Sequence, residues 1–403
     1  MPKLVRSFVL VAAATASASL GVAGVTVGCA SSDGSTSPVA PPPGAPTSDG
    51  GASDDAGDAA STPADAATSL DAGTRMTKPL FGVYRWGNGG NEAVHGYGGV
   101  DLFEKWLGQD VLVAVDFEAN DTWDNAMAPG WQMPAWGRWL KAKPGRVLMQ
   151  QVPLLPGPWD GSGPTAGVDQ GPVSLADCAS GKYDAHWTRF AINMVSAGVG
   201  DAVLRPGHEF NGGWYTWRAA GRETQFIGCF QHFVTAVRAV AGAHFQIAWN
   251  PTAGYVQFAA DTAYPGDEYV DAVGIDVYDQ SWAPSSYPCA GDPAVCRANA
   301  WRDLAEGDHG LAFWSRFARD HKKPMMIPEW GTIRRDDGHG GDDDPEFIQR
   351  MHDWMFDPMN HVTIAAKFDV KAGDGDSQLS DNNPVDGPTT MPNAAAKLRS
   401  LAW

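Results

Sequence analysis

The feature of this 403-residue chain that most restricts its fold is a regular alternation of short apolar runs with amphipathic stretches, which begins at Leu80. The runs are rich in β-branched residues and apolar along their length, as is typical of strands buried on both faces of a parallel sheet. Helical patterns such as YDAHWTRFAINMVSAG and ETQFIGCFQHFVTAVRAVAG separate most of them, and NAAAKLRSLAW follows the last one. The eight runs are LFGVYRW, VLVAVDF, RVLMQQV, AVLRPGHE, FQIAWNP, DAVGIDVY, PMMIPEWG and VTIAAKFD, which start at residues 80, 111, 146, 202, 245, 271, 324 and 362.

Eight strands that alternate with helices predict the α/β class and, within it, a (β/α)8 TIM barrel. An open doubly wound sheet is the alternative, but the G-x-G-x-x-G turn of dinucleotide-binding sheets does not follow the first run. We expect the barrel to form one catalytic domain over residues 78–403.

The N-terminal part of the chain is predicted to lie outside the barrel. Residues 1–29 have the basic start and the apolar, alanine-rich run of a bacterial secretory signal, and Gly28-Cys29 resembles the end of a lipoprotein signal whose cysteine is acylated. Cleavage after Ala30, which would leave a soluble protein, is the alternative. Residues 30–77 contain almost no large apolar side chain, so we expect a disordered tether. Either way, we expect an exported protein, lipid-anchored to a bacterial membrane or cell surface, or secreted.

The net charge restricts the possible binding partners, and the cysteines predict disulfides. A formal charge of −18 argues against a nucleic-acid or anionic-membrane partner, so membrane contact is expected only through a lipid at Cys29. We expect a monomer with no cofactor and no metal.

The remaining four cysteines suggest two disulfides in an oxidising compartment. Cys289 and Cys296 bracket a short loop and are the expected pair, which leaves Cys178 with Cys229; a metal site is the weaker alternative, because paired C-x-x-C spacing is missing.

Polar residues cluster where the predicted strands end, and in a barrel of this kind these ends share one mouth, where the chemistry takes place. Glu209 follows the fourth strand and Glu329 ends the seventh, so two carboxyl groups should face each other. Retaining glycoside hydrolysis uses two carboxyl groups about 5–5.5 Å apart as acid/base and nucleophile. The other polar residues at strand ends are Asp116, Glu118, His208, Asn250, Asp276 and Tyr278.

Three ordered motifs carry a resemblance to a known family. RPGHEFNGGWYTW resembles the strand-four motif of glycoside hydrolase family 26, a clan A family in which His-Glu replaces the usual Asn-Glu. YPGDEYVDAVGIDVYD is similar to the strand-six region of that family, KPMMIPEWG to its nucleophile segment and WNP to its fifth strand. The resemblance covers roughly residues 80 to 370. One departure is that strand eight ends in KFDV, where mannanases of the family often place a tryptophan platform.

The resemblance implies roles for individual residues. Glu209 would be the acid/base and Glu329 the nucleophile, with His208 near the substrate 2-hydroxyl and Tyr278 hydrogen-bonded to Glu329. The expected substrate-binding residues are Arg205, Trp214, Trp217, Trp249, Asn250, Asp276 and Trp330.

Each candidate has a structural alternative. Glu329 could be only an ion-pair partner of Arg205, and Trp249 and Trp330 are as consistent with packing as with sugar platforms. Asp116 and Glu118 are expected to hold loops or bind distal sugar hydroxyls. HEFNG lacks the second histidine of the zinc motif H-E-x-x-H. The acidic run at 334–344 departs from the spacing of a calcium loop, which favours a solvated loop.

The predicted function is that of a retaining β-glycanase acting on an extracellular polysaccharide, most plausibly an endo-β-1,4-mannanase. Mixed-linkage β-1,3-1,4-glucan and β-1,3-xylan are the alternative substrates within the family. A non-catalytic glycan-binding barrel at the cell surface is the alternative from another class of function.

Overall fold

The computed structural model describes residues 78–85, 97–157, 173–373 and 375–403. The predicted signal, the candidate lipid site at Cys29 and the predicted tether lie outside these residues. Within them, no helix is both long enough and apolar enough to span a bilayer.

The central element is a closed parallel barrel, which confirms the predicted (β/α)8 fold and excludes an open sheet. The last long strand, β10, pairs with both β1 and β8, and this pairing closes the sheet. β6 and β7 both pair with β8 and together occupy the sixth of the eight barrel positions. The strands are β1 Leu80–Tyr84, β2 Val113–Phe117, β3 Val147–Val152, β4 Val203–Pro206, β5 Gln246–Trp249, β6 Ala272–Gly274, β7 Val277–Asp279, β8 Met325–Thr332, β9 Arg334–Arg335, β10 Val362–Phe368, β11 Lys371–Ala372 and β12 Gly375–Asp376.

Helices surround the barrel, and β9, β11 and β12 form a small antiparallel sheet beside its mouth. The three helical patterns recognised in the sequence correspond to α4, α5 and α9. The helices are α1 Tyr97–Leu107, α2 Met133–Ala142, α3 Leu175–Ala179, α4 Asp184–Ser196, α5 Glu223–Arg238, α6 Pro293–Glu306, α7 Leu311–Asp320, α8 Pro345–Phe356 and α9 Pro392–Ser400.

The strands separate two apolar cores, because successive side chains of a strand point to opposite faces. The inner core fills the barrel and contains residues such as Met149, Val203 and Met326. The outer core lies between the strands and the helices and contains their neighbours, such as Leu148, Leu204 and Ile327. Outside the region where β8 pairs with β10, the described side chains of the barrel strands can therefore be assigned to the inside or the outside from this alternation.

The alternation is interrupted where β8 and β10 pair, and the interruption on β8 determines where Glu329 lies. On β8, the pairing partners Ile327 and Trp330 are three residues apart, whereas their partners on β10, Ala365 and Lys367, are two apart. The extra residue is a β-bulge, which turns the following side chains to the other face. As a result, Glu329 lies inside the mouth of the barrel and Trp330 lies in the outer core.

Both expected disulfides are present. Cys178, in α3, is bonded to Cys229, in α5, and Cys289 is bonded to Cys296 in the loop that leads into α6. The first disulfide fastens two helices of the outer layer to each other, and the second closes a short loop beyond the sixth barrel position. The predicted pairing is confirmed.

The acidic run at 334–344 has protein partners for most of its charges. Asp337 pairs with Arg335, Asp342 with Arg334 and Asp344 with Arg297, while Asp343 accepts hydrogen bonds at the start of α9. Asp344 also caps α8 by accepting hydrogen bonds from two backbone amides. Two of these ion pairs lie within the run, and Asp343 and Asp344 connect it to helices α6, α8 and α9, so the run is not only solvated.

Candidate active site

Two glutamates from distant parts of the chain meet at the mouth of the barrel. Glu209 follows β4 and Glu329 lies on β8, and carboxylate oxygens of the two lie within 4.8 Å of each other. Asp276, which precedes β7, belongs to the same cluster. The structure therefore brings together the two carboxyl groups that the strand-end pattern predicted would face each other.

Glu209 is held rigidly in an uncommon backbone conformation. Its φ is 50°, in the left-handed region that costs a non-glycine residue about 1–3 kcal/mol and is concentrated at functional sites. Its amide N–H donates to the carbonyl of Asn250 over 2.7 Å, which fixes the turn after β4. The Trp214 indole Nε1 donates to Glu209 Oε2 over 3.0 Å, and Oε1 has no protein partner among the described residues.

Glu329 has a partner for each carboxylate oxygen. Arg205 Nη2 donates to Oε1 over 2.6 Å, and the Tyr278 hydroxyl donates to Oε2 over 3.0 Å. The same Arg205 nitrogen contacts Asp276 Oδ2 at 2.7 Å, and Arg205 Nε donates to Asn250 Oδ1. All of these side chains are buried, so their ion pairs and hydrogen bonds are little screened by solvent. The expected hydrogen bond between Tyr278 and Glu329 is present.

Burial and nearby charges shift the pKa values of His208 and Glu209, which follow β4, in opposite directions. Burial, assisted by the negative charges of Asp276 and Glu329, raises the pKa of Glu209 well above its ordinary value. Burial and the positive charge of Arg205 lower the pKa of His208 well below its ordinary value. Both shifts favour the uncharged form, a protonated carboxyl group at Glu209 and a neutral imidazole at His208. His208 Nε2 lies 3.0 Å from the Tyr215 hydroxyl, and its Nδ1 has no protein partner within the described part of the chain.

The cluster of three carboxyl groups has the composition of a cation site, but a side-chain cation already contacts it. The Arg205 guanidinium donates to both Asp276 and Glu329. Arg205, Asp276 and Asn250 were predicted to bind substrate. The structure places them beneath the two glutamates, where they orient the site.

The four tryptophans expected to bind sugars have different positions. Trp214 contacts Glu209 directly and thus belongs to the site. Trp217 is fully buried and stacks on Tyr215. Its indole donates a hydrogen bond to the carbonyl of His208 and so stabilises the turn after β4. Trp249 and Trp330 lie in the outer core, against aromatic residues of the helical layer and of the C-terminal end. We therefore correct the prediction that Trp217, Trp249 and Trp330 line subsites.

Trp249 faces outward because it follows the strand alternation. Ala248 points into the barrel, so its neighbours Ile247 and Trp249 point out. For Trp330, the bulge in β8 has the same consequence. Most described tryptophans are buried in a similar way. Only Trp131 and Trp282 among them are exposed, both on loops that follow barrel strands.

The two acidic residues near the end of β2 lie apart from the cluster. Asp116 accepts hydrogen bonds from Gln132 Nε2 over 2.8 Å and from the Trp136 indole over 2.6 Å, so it holds the loop before α2. Glu118 is buried, and neither of its oxygens has a partner among the described residues. Burial and the nearby charge of Asp116 raise its pKa well above the ordinary value. The expectation that Asp116 holds a loop is confirmed.

Two inward-facing residues were not singled out in the sequence. Phe368, at the end of β10, packs against Tyr84 and Tyr278 in the inner core, while its neighbour Lys367 points outward and donates to two backbone carbonyls. Gln151, at the end of β3, is buried and faces the barrel interior beside Arg205. The alternation of β3 is the signal that could have identified Gln151, since it follows the inward-facing Met149 by two residues.

Comparisons with known proteins agree with this architecture. The family model described as glycosyl hydrolase family 26 matches residues 192–310, which include the turn with Glu209 and strands β4 to β7. Endoglucanase H of Acetivibrio thermocellus is 37% identical over 121 residues, or 27% of this chain and 13% of that protein. A mannan endo-1,4-beta-mannosidase of Bifidobacterium adolescentis is 23% identical over 182 residues, or 43% of this chain and 17% of the relative. Both alignments thus span a small part of the relative.

Solved structures share the fold at low sequence identity. A modular endo-beta-1,4-mannanase from Cellulomonas fimi is similar with a TM-score of 0.54 and 17% identity, covering 79% of this chain and 70% of that chain. A GH26 beta-mannanase from Bacteroides ovatus is similar with a TM-score of 0.54 and 13% identity, covering 80% of this chain and 88% of that one. These likenesses show the (β/α)8 fold, and the family model relates the stretch from 192 to 310 to glycosyl hydrolase family 26.

Proposed function

We propose that this protein is a retaining β-glycoside hydrolase that cleaves an extracellular β-glycan, with β-1,4-mannan as the principal substrate. One observation carries the proposal: carboxylate oxygens of Glu209 and Glu329 lie within 4.8 Å of each other at the barrel mouth. Retaining enzymes keep their two carboxyl groups about 5–5.5 Å apart, whereas inverting enzymes leave about 6.5–9.5 Å for a water molecule. The separation favours direct attack by one of the two carboxylates.

Glu209 is suited to act as the acid. Its raised pKa favours the protonated carboxyl group, which can donate a proton to the glycosidic oxygen as the bond to the leaving group breaks. The Trp214 indole and the backbone contact to Asn250 hold the carboxyl group in place. The left-handed backbone of Glu209 is part of the same fixed arrangement.

Glu329 is suited to act as the nucleophile. Arg205 and Tyr278 each donate to one carboxylate oxygen, which stabilises the anion and orients it. Attack on the anomeric carbon forms an ester between the sugar and Glu329 while the leaving group departs with the proton from Glu209. Glu329 is then no longer charged, so Glu209 can take a proton from water, which attacks the anomeric carbon and releases Glu329.

The choice of polymer rests on the relatives. A mannan endo-1,4-beta-mannosidase is among the similar curated proteins, and the structural neighbours include endo-beta-1,4-mannanases. The relative named Endoglucanase H has the higher identity, over a shorter stretch, which makes a β-glucan the second candidate. β-1,3-Xylan is the third polymer to be compared.

The test is hydrolysis of β-1,4-mannan, mixed-linkage β-glucan and β-1,3-xylan, with products identified by mass spectrometry and their initial anomeric form by NMR. We expect the highest kcat/KM on mannan and release of the β-anomer first. Initial release of the α-anomer would exclude the retaining mechanism. A higher kcat/KM on mixed-linkage glucan than on mannan would change the assigned substrate but would not affect the proposed retaining mechanism.

A binding measurement beside the hydrolysis assay distinguishes this enzyme from a non-catalytic glycan-binding barrel. Such a protein would bind one of the three polymers in affinity electrophoresis and release no reducing sugar from it. The raised pKa of Glu209 and the two donors on Glu329 favour catalysis, because binding alone requires neither of them.

We also propose that the enzyme is exported and anchored through an acyl chain on Cys29. The basic and apolar character of residues 1–29 and the Gly28-Cys29 pair support this proposal. Labelled palmitate should enter the protein and should be lost in Cys29→Ser, while the rate on soluble substrate stays the same. Labelling that survives Cys29→Ser would exclude the anchor.

A further inference from the structure

Two consecutive glutamines at the end of β3 point to opposite faces of the barrel wall. Leu148 lies in the outer core and Met149 in the inner core, so Gln150 points outward and Gln151 points inward. Gln150 Nε2 donates to the carbonyl of Gln151, a contact within the strand end. The two residues have the same side chain and adjacent positions, yet they face different environments.

Gln151 faces the layer that contains the catalytic arrangement. In the parallel register it is paired with Arg205 on one side and with Phe117 on the other. The Arg205 guanidinium lies 5.7 Å from the centre of the Phe117 ring, and the His208 ring lies 5.7 Å from the same centre. Gln151 is thus a neighbour of the residue that orients Glu329.

The side chain of Gln151 is buried but unpaired. It is 1% exposed, and neither Oε1 nor Nε2 has a hydrogen-bond partner among the described residues. An unpaired buried amide costs roughly 1–3 kcal/mol, so a side chain that only filled space at this position would be apolar. His208 Nδ1, in the same part of the mouth, is also buried and without a partner in the described ranges.

The chemistry of an amide defines the ligand. Nε2 donates and Oε1 accepts, so the pair matches two neighbouring hydroxyl groups, each of which can donate and accept. Gln151 lies beside Arg205 in the register of β3 and β4, and Arg205 donates to Oε1 of the nucleophile Glu329. This position favours the sugar that becomes bonded to Glu329.

We propose that Gln151 binds hydroxyl groups of the sugar whose anomeric carbon reacts and so determines affinity for that sugar. The inference rests on the proposed function and adds a binding residue to it. The interaction is present with any leaving group, because it is made to the sugar that the enzyme retains.

The experiment compares Gln151→Leu with Gln150→Leu, which changes the neighbouring glutamine that faces outward. For Gln151→Leu we expect kcat/KM to fall about 10- to 100-fold, by a similar factor on mannohexaose and on an activated aryl β-mannobioside. The melting temperature should be unchanged or higher, since an unpaired buried amide is removed. Gln150→Leu should keep the kcat/KM of the wild type on both substrates.

Binding separates this inference from the proposed function. In a Glu329→Ala background, calorimetric titration with mannohexaose should show weaker binding when Gln151→Leu is added, and no change when Gln150→Leu is added. Wild-type affinity with Gln151→Leu would overturn the role of Gln151, as would a loss confined to substrates with poor leaving groups. A wild-type protein that binds mannohexaose through Gln151 and cleaves no polymer would refute the proposed function and leave the binding role intact.

Discussion

Two groups of buried carboxyl groups stand near the same end of the barrel, and they differ in how their charge is balanced. The inner group consists of Glu209, Asp276 and Glu329, and Arg205 bridges two of its members within 2.7 Å. The outer group consists of Asp116 and Glu118 near the end of β2, and among the described residues side-chain donors reach Asp116 but not Glu118. Burial alone therefore does not identify a catalytic carboxyl group.

The inner group combines one carboxyl group that accepts hydrogen bonds from Arg205 and Tyr278 with one whose pKa is raised by burial and nearby negative charges. This division of charge is what double displacement requires. In the outer group, Asp116 accepts hydrogen bonds from neutral donors of the loop and of α2, and burial and the charge of Asp116 raise the pKa of Glu118. The outer group can hold structure but has no pair of groups with opposed roles.

Glu329→Ala tests the inner group most severely. We expect kcat on natural polymer to fall by about 10⁴-fold or more, because the covalent intermediate can no longer form. Azide should restore turnover of an activated substrate and give a glycosyl azide of inverted configuration, which NMR identifies. Full activity in this variant would remove Glu329 from the nucleophile role and make the inner group no different from the outer one.

Glu209→Ala should separate substrates by their leaving groups. On polymer, loss of the acid should lower kcat by about 10²- to 10⁴-fold. An activated aryl glycoside needs little protonation, so glycosyl-enzyme should still form, accumulate on Glu329 and break down faster with azide. The alkaline limb of the kcat/KM profile, which reports deprotonation of an acid with a raised pKa, should disappear. Equal losses on both substrates with that limb intact would show that Glu209 is not the acid/base.

Asp116→Asn tests whether the outer group is structural. The carboxylate accepts from Gln132 and Trp136, and the amide replaces one acceptor oxygen with a donor. We expect the free energy of unfolding to fall by about 1–3 kcal/mol, with kcat/KM of the folded enzyme unchanged. Urea denaturation measures the first quantity. A large loss of kcat/KM at full stability would instead place Asp116 in the reaction.

Glu118→Gln should have the smallest effect, and its sign depends on pH. The folded state keeps Glu118 protonated above the pH at which the unfolded chain loses that proton, near 4.5. The wild type therefore loses stability as pH rises from that value towards the raised pKa of Glu118. The glutamine variant does not titrate, so its stability should match the wild type at acidic pH and exceed it at neutral pH. Melting curves across this range measure the difference. A variant less stable than the wild type at neutral pH would show that the carboxylate has an unrecognised partner.

Much of this architecture follows from local patterns in the chain. Each of the eight apolar runs is a barrel position, because strands buried on both faces need uninterrupted apolar sequence. Glu209 and Glu329 were identified because polar groups directly after such strands share one end of a barrel. The two disulfides follow from an even number of cysteines and one short loop.

The sequence predicts only in part whether a strand side chain points into the barrel or towards the helices. Regular alternation assigns Trp249 to the outer core and Gln151 to the interior, so both positions could have been read from the sequence. Alternation counted from Ile327 would place Glu329 outside the barrel. The bulge in β8 reverses this assignment, putting Glu329 inside and Trp330 outside. A bulge is defined by which residues of a neighbouring strand are paired, and that neighbour, β10, lies more than thirty residues away in the chain.

The sequence by itself thus determined the order of the strands, the fold and the two glutamates that end the fourth and seventh barrel positions. Only the tertiary structure decided that Arg205 contacts both Asp276 and Glu329, and that burial and the negative charges of Asp276 and Glu329 raise the pKa of Glu209. The physical reason is that a pKa depends on burial and on charges within a few ångströms, and those charges come from strands far apart in the chain.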